Sequence, residues 1–182
     1  MKKFILIVFT VLVSVGSFAQ GIDVGIKAGA NFSTLTDVPD VSTRTGFLIG
    51  GFVTLKFTEK MALQGDILYS QQGADGKNGY SDLALDYVIF PIVFKYYIID
   101  RLNIQAGPQF GSVIKDNYNN NLDSFDISGV VGIGVDLPLN LRVTGRYSFG
   151  LNDIGFSDYY GNGFTTNAKN SVFSLTAGFS FL

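Results

Sequence analysis

The chain has 182 residues, enough for one domain, with 13 basic and 15 acidic side chains and a formal charge of −2. It contains no Cys and no His, which excludes a disulfide framework, a thiol nucleophile, a lipid-anchored cysteine and serine–histidine catalysis, and removes the commonest metal ligand. Charged residues are only 15% where a soluble domain carries about 25%, and with no long basic run nucleic acid is excluded as a partner.

The chain opens with Lys2 and Lys3, an apolar core from Phe4 to Val15, and small residues at Ser17 and Ala19. This order of a positive region, an apolar run and an A-x-A-like site predicts a secretory signal peptide over 1–19, cut between Ala19 and Gln20. The apolar run, about 12 residues, is shorter than the ~20 that a spanning helix needs. Removing Lys2 and Lys3 from the 13 basic residues leaves 11 against 15 acidic, a charge of −4.

From Gln20 onward the recurring signal is alternation with a period of two, which marks strands whose faces meet different environments. Ile22, Val24, Ile26, Ala28, Ala30 and Phe32 alternate with Asp23, Gly25, Lys27, Gly29 and Asn31. Phe47, Ile49, Val53, Leu55 and Phe57 alternate with Gly50, Thr54 and Lys56. Met61, Leu63, Ile67 and Tyr69 alternate with Gln64, Asp66 and Ser70. In Leu85–Tyr97 both faces are apolar, and Pro91, which cannot donate to a ladder, predicts a bulge nearby and leaves the parity around it open. Leu102, Ile104, Ala106 and Phe110 alternate with Asn103, Gln105 and Gln109. Ile127, Val131, Ile133, Val135 and Leu137 alternate with Asp126, Ser128 and Asp136. Leu141, Val143, Tyr147 and Phe149 alternate with Arg142, Thr144, Arg146 and Ser148, and Phe173, Leu175, Ala177, Phe179 and Phe181 with Ser174, Thr176 and Ser180.

These runs make eight strands of roughly 10 to 13 residues, enough for the 9–11 that a tilted transmembrane strand needs. Short connections at Thr58-Glu59-Lys60, Ile99-Asp100-Arg101 and Pro138-Leu139-Asn140 alternate strictly with long ones, Ser33–Arg44, Gln72–Asp82, Asp116–Asp123 and Asn152–Lys169. Short periplasmic turns and long extracellular loops are the organisation of outer-membrane barrels. The expected fold is all-β: an eight-stranded antiparallel up-and-down transmembrane β-barrel over 20–182, with both termini periplasmic.

Alternation alone does not distinguish this from a soluble lipocalin-like barrel, whose apolar face points inward. Two features favour the membrane barrel. The polar face is rich in glycine (Gly25, Gly29, Gly50, Gly107, Gly111, Gly132, Gly134, Gly150, Gly178), which suits a narrow interior and not a solvated strand. Aromatics gather at the strand ends of the apolar face. Phe32, Phe47, Tyr69, Phe110, Phe149 and Phe173 fall at the long-loop end, and Phe57, Tyr96 and Phe181 at the short-turn end, as two interfacial girdles would. The interior then holds Asp23, Lys27, Lys56, Asp66, Lys95, Asp136, Arg142 and Arg146, which must pair because an unpaired buried charge is costly. Lys27, Asp66 and Arg146 fall near mid-height and the others nearer the turn end. A charged plug is expected in place of an open channel.

Several segments resemble a known family. Arg146-Tyr147-Ser148-Phe149-Gly150-Leu151-Asn152-Asp153-Ile154 resembles its "RYSYGL-N-I" segment, and Asp86–Tyr97 its "YLEIPLLLKYY" strand. Gly25–Ser33 resembles "GIKAGLNFS", and Ala106–Gly111 "AGPYLGY". The chain thus resembles the PorT-like outer-membrane β-barrel family of Bacteroidota, and the resemblance implies a small barrel of OmpA-type or OmpX-type architecture. It departs from the family at the glutamate of the proline strand, replaced by Ile89 or Val88, and at the C-terminus, where Phe181 is followed by Leu182 in place of a final aromatic.

Two motifs are set aside. Gly129–Gly134 is glycine-rich but lies within a strand with no helix after it, and is read as packing glycine. Asp116–Asp123 lacks the Gly and Glu of a calcium loop and is read as a polar hairpin loop. Asp153, Asp158, Tyr159 and Tyr160, in the longest connection, are the candidates for surface recognition.

The function expected is that of an integral outer-membrane barrel of a Gram-negative bacterium, non-enzymatic, acting through surface loops or in envelope integrity. The alternative is a narrow pore or transporter for small solutes. No cofactor, metal or catalytic residue is called for. The expected partners are outer-membrane lipid and lipopolysaccharide, the barrel-insertion machinery during assembly, and an extracellular ligand. The chain is expected to be a monomer.

Overall fold

The computed structural model describes residues 21–36, 41–76, 83–116, 125–151, 154–156 and 166–181. The strands are β1 (Ile22–Thr36), β2 (Val41–Lys56), β3 (Met61–Gly76), β4 (Leu83–Ile99), β5 (Leu102–Asp116), β6 (Phe125–Asp136), β7 (Leu141–Gly150), β8 (Ile154–Phe156) and β9 (Thr166–Ser180). Each long strand is antiparallel to its neighbours in the order β1-β2-β3-β4-β5-β6-β7-β9, and β1 pairs with β9 from Gly25↔Ser180 to Thr36↔Lys169. The sheet therefore closes on itself as an eight-stranded barrel. Closure pairs both edges of each of the eight long strands, a condition that a bilayer imposes on any spanning sheet. The short β8 is an addition to the sequence-based count and pairs only with the start of β9, Ile154↔Ala168 to Phe156↔Thr166.

The first five strands run 15 to 17 residues, longer than the roughly 10 to 13 expected of a spanning strand here. The excess lies at the long-loop end. Ser33 pairs with Arg44, Val41 with Gly76, and Ala74 with Leu83, in or directly beside stretches expected to be loop. Their Ser, Thr, Gly, Asp and Gln residues carry no alternation of hydrophobicity. The backbone ladder simply continues past the apolar band.

Parity in β4 is unbroken. Tyr87, Ile89, Pro91, Val93, Lys95 and Tyr97 are buried, while Phe90, Ile92, Phe94, Tyr96 and Ile98 are exposed. The expected bulge at Pro91 is absent. Register shifts occur instead between Asp86 and Tyr87 and between Tyr97 and Ile99. Around the prolines the ladder lapses and resumes in the same register. Pro91 stands opposite Asp66 where pairing with β3 is interrupted, and Pro108 opposite Ile92 where pairing with β5 is interrupted. A missing N–H is accommodated by skipping a rung, not by adding a residue.

The short connections are tight. At the β6–β7 turn, Leu139 and Asn140 both have positive φ, 64° and 60°, and Leu137 N–H donates to Leu141 O at 2.7 Å. Two consecutive left-handed residues match the twist of an antiparallel hairpin.

Candidate functional site: the barrel lumen

The barrel turns its apolar side outward. Ile26, Ile49, Ile67, Ile104, Ile133 and Leu175 are 47–63% exposed, while Lys27, Asp66, Gln64, Lys95 and Asn103 are nearly or fully buried. Because the strands alternate, each charged side chain is delivered to the same narrow space.

Asp66 is the hub of the lower, turn-end half. It accepts from Lys27 Nζ at 2.9 Å and from Gln64 Nε2 at 2.7 Å, and it pairs with Arg146. Arg146 Nε also donates to Gln105 Oε1 at 3.0 Å. Nearer the turn end Arg142 pairs with Asp23 and donates to Ser180 Oγ at 2.6 Å. The Phe52 ring, itself buried, lies 4.4 Å from the Arg142 guanidinium and 5.2 Å from Lys27 Nζ, so its π face adds attraction for both cations. Lys95 donates to Gln64 Oε1 at 3.3 Å and lies 5.6 Å from the Tyr97 ring. Asp136 is half-buried and accepts from the Tyr97 hydroxyl at 2.8 Å. Lys56 departs from the expectation of an interior charge. It is exposed, because it is the last residue of β2 and sits at the turn-end rim, 6.0 Å from the Tyr97 ring.

Glycine makes room for these long side chains. A Cβ on Gly50 would collide with the Ile67 carbonyl, and one on Gly25 with the Phe179 carbonyl and the Phe52 ring. The backbones of neighbouring strands approach too closely there for any side chain.

Above the charges lies a layer that the alternation did not disclose. Leu48, Leu68, Ile89, Val130 and Val172 point inward and are 2–6% exposed. They converge from five strands on one cavity of about 20 Å³, room for about one water. Leu48 and Leu68 passed unremarked in runs read as polar on that face, and Val130 lay in a segment read as packing glycine. Towards the loop end the lining is polar again. Asn31 Nδ2 donates to Ser70 Oγ at 2.7 Å, and Gln72 Nε2 to the same oxygen at 2.9 Å. Asp126 is buried here with Ser128 Oγ at 3.2 Å, and its other oxygen has no partner.

On the outer face Phe32, Phe47, Phe57, Tyr96, Phe149, Phe173 and Phe181 are 38–62% exposed, and Tyr69 and Phe110 are half-exposed. Phe32 stacks on Phe173 at 6.3 Å and Phe47 meets Tyr69 at 5.6 Å. Asp153, Asp158, Tyr159 and Tyr160, and the stretch 1–19 expected to be a signal peptide, lie outside the described residues. Among the described residues there is no group of three or more acidic side chains placed to hold a metal.

Residues 18–155 match the family described as "Outer membrane protein beta-barrel domain". The chain belongs to that family. An outer-membrane location follows from the family, and the barrel's apolar exterior is the surface such a location requires. Among solved structures, Ail, the attachment invasion locus protein of Yersinia pestis, superposes with a TM-score of 0.56 at 14% identity, over 88% of this chain and 99% of Ail. Neisserial surface protein A gives 0.54 at 14% identity, over 89% of this chain and 98% of its own. Identities this low show a shared fold alone. No curated protein matches the chain in sequence.

Proposed function

We propose that this outer-membrane barrel is a sealed, non-enzymatic scaffold that works at its loop end, either by surface recognition or by adding to envelope integrity. The observation that carries the reading is the two-tier lumen. Five inward apolar side chains lie over a hydrogen-bonded cluster of ion pairs, and the space they share holds about one water. A hydrated solute would have to displace buried apolar side chains and break ion pairs in a low-dielectric space, so the pore reading is disfavoured.

Within this reading the aromatic positions sit at the two lipid–water interfaces, and both termini face the periplasm. The stretches 37–40, 77–82, 117–124 and 152–165 then leave from the extracellular end. The partners are outer-membrane lipid, lipopolysaccharide and the insertion machinery, with an extracellular ligand that Asp153, Asp158, Tyr159 and Tyr160 would meet. The resemblance to PorT-like barrels supports membership of that narrower group. Ail has been crystallised with the heparin analogue sucrose octasulfate, which makes polyanionic glycans one class to try against the loops.

The test is single-channel recording of the purified protein in a planar bilayer. Silence from a folded, inserted barrel is expected. Discrete steps that change with Arg146→Ala would overturn the sealed lumen. A companion variant shortening 152–165 should keep the barrel and lose surface binding. The cut stops before Thr166, because β9 begins there and pairs with β1 as far as Thr36↔Lys169.

A further inference from the structure

The lower lumen is not balanced in charge. Lys27, Lys95, Arg142 and Arg146 are 1–7% exposed, and the carboxylates buried among them are Asp23 and Asp66. Asp136 is half-exposed and held by Tyr97. Four buried basic side chains therefore face two buried carboxylates. They lie near enough to repel one another, Lys27 against Arg146 and Lys95, and Lys95 against Arg142 and Arg146, while Asp66 attracts Lys27 and Asp136 and Asp23 attract Lys95. Asp23 is paired with Arg142, and Asp66 is shared by Lys27 and Arg146. That leaves Lys95 with an amide oxygen as its hydrogen-bond acceptor.

The unpartnered atoms point the same way. Asn103 Nδ2, Arg146 Nη2 and Arg142 Nε are buried donors with no acceptor, while the spare acceptor in this tier is one oxygen of Asp23. A single hydrogen-bonded path runs from Lys95 through Gln64, Asp66, Arg146 and Gln105 to Asn103. Both of its ends are donors. The register folds the path back on itself. Lys95 is opposite Gln105 on the adjacent strand, and Tyr97 is opposite Asn103, so Lys95 and Asn103 are diagonal neighbours on the lumen face, within reach of one another's long side chains.

We propose that a small inorganic anion, of the size and charge of chloride, is bound in the lower lumen between Lys95, Asn103 and Arg146. It supplies the acceptor that Asn103 Nδ2 and Arg146 Nη2 lack, a charged partner for Lys95 beside its amide acceptor, and part of the missing countercharge. Water would satisfy the donors but not the charge, and uncompensated charge in a low-dielectric space is the costlier deficit. This inference does not depend on what the loops do.

The full protein, purified from membranes in detergent, is heated in sodium chloride, sodium bromide or sodium gluconate at one ionic strength, and the folded fraction is read from gel mobility. The transition is expected several degrees higher in the halides than in gluconate, saturating with halide concentration. Lys95→Met with Asn103→Leu should abolish that difference. Equal transitions in all three salts, or a halide effect that survives the double substitution, overturn the proposal. If the double variant does not fold, crystals of the unsubstituted protein soaked in bromide decide. An anomalous peak within hydrogen-bond reach of Lys95 Nζ and Asn103 Nδ2 is expected, and its absence refutes the site.

Discussion

Replacing Asp66 by Ala removes the one carboxylate that Lys27 and Arg146 share, and with it the acceptor of Gln64. The Asp66 side chain has no solvent exposure and those of its partners 3% and 8%, so water cannot readily take its place. Removing one member of a buried ion pair costs about 3–5 kcal/mol, because the partner is left charged in a poor solvent. At roughly 2–4 °C per kcal/mol for a chain of this size, the midpoint should fall by about 6–20 °C. The assay is the heat-induced mobility shift of the folded barrel in detergent. A second variant separates charge imbalance from simple loss of packing. Lys27→Met, Asp66→Leu and Arg146→Met together remove the whole set and replace it with apolar volume, and should recover a large part of the loss. An unchanged midpoint for Asp66→Ala would refute the pairing. A triple variant no more stable than the single one would show that packing, not stranded charge, sets the cost.

Two further outcomes follow from the wall of the barrel. Gly50→Val should lower the yield of folded barrel sharply, since its Cβ meets the Ile67 carbonyl, whereas Gly65→Ala, with nothing within 4 Å of its Cβ, should fold with an unchanged or slightly higher midpoint; refolding yield on a gel checks both. Ile67→Arg, at a side chain 63% exposed on the outer face, should cost about 2–4 kcal/mol in lipid vesicles if that position lies near the bilayer midplane, read from the urea midpoint.

The fold was largely legible because a barrel wall has two simple rules, a period of two and alternating short and long connections. Lys27, Asp66 and Arg146 were readable as one cluster because they occupy the polar phase of strands at similar height. Leu48, Leu68, Ile89, Val130 and Val172 were not, since each is an apolar residue on the phase that the rule assigns to polar ones. A run such as Phe47-Leu48-Ile49 carries no alternation to read. Phe52 was hidden for the same reason, although it lies against two cations. Pro91 misled in the opposite direction, because sequence shows the missing donor but not that Asp66 across the gap is the rung the ladder can omit. The extra strand length beyond Phe32 and Tyr69 was invisible, as residues outside the apolar band lose the contrast that marks a strand.

The seam between β1 and β9 has a consequence for how the molecule comes into being. The wall's first and last strands are neighbours, so a nascent chain lacking only Thr166–Ser180 would present two long unpaired edges, on Ile22–Thr36 and on Leu141–Gly150. Open edges of that length recruit other strands and invite aggregation. The fifteen residues of β9 therefore act as a latch, and a frameshift or nick within them should yield no partly working product, only material destined for proteolysis.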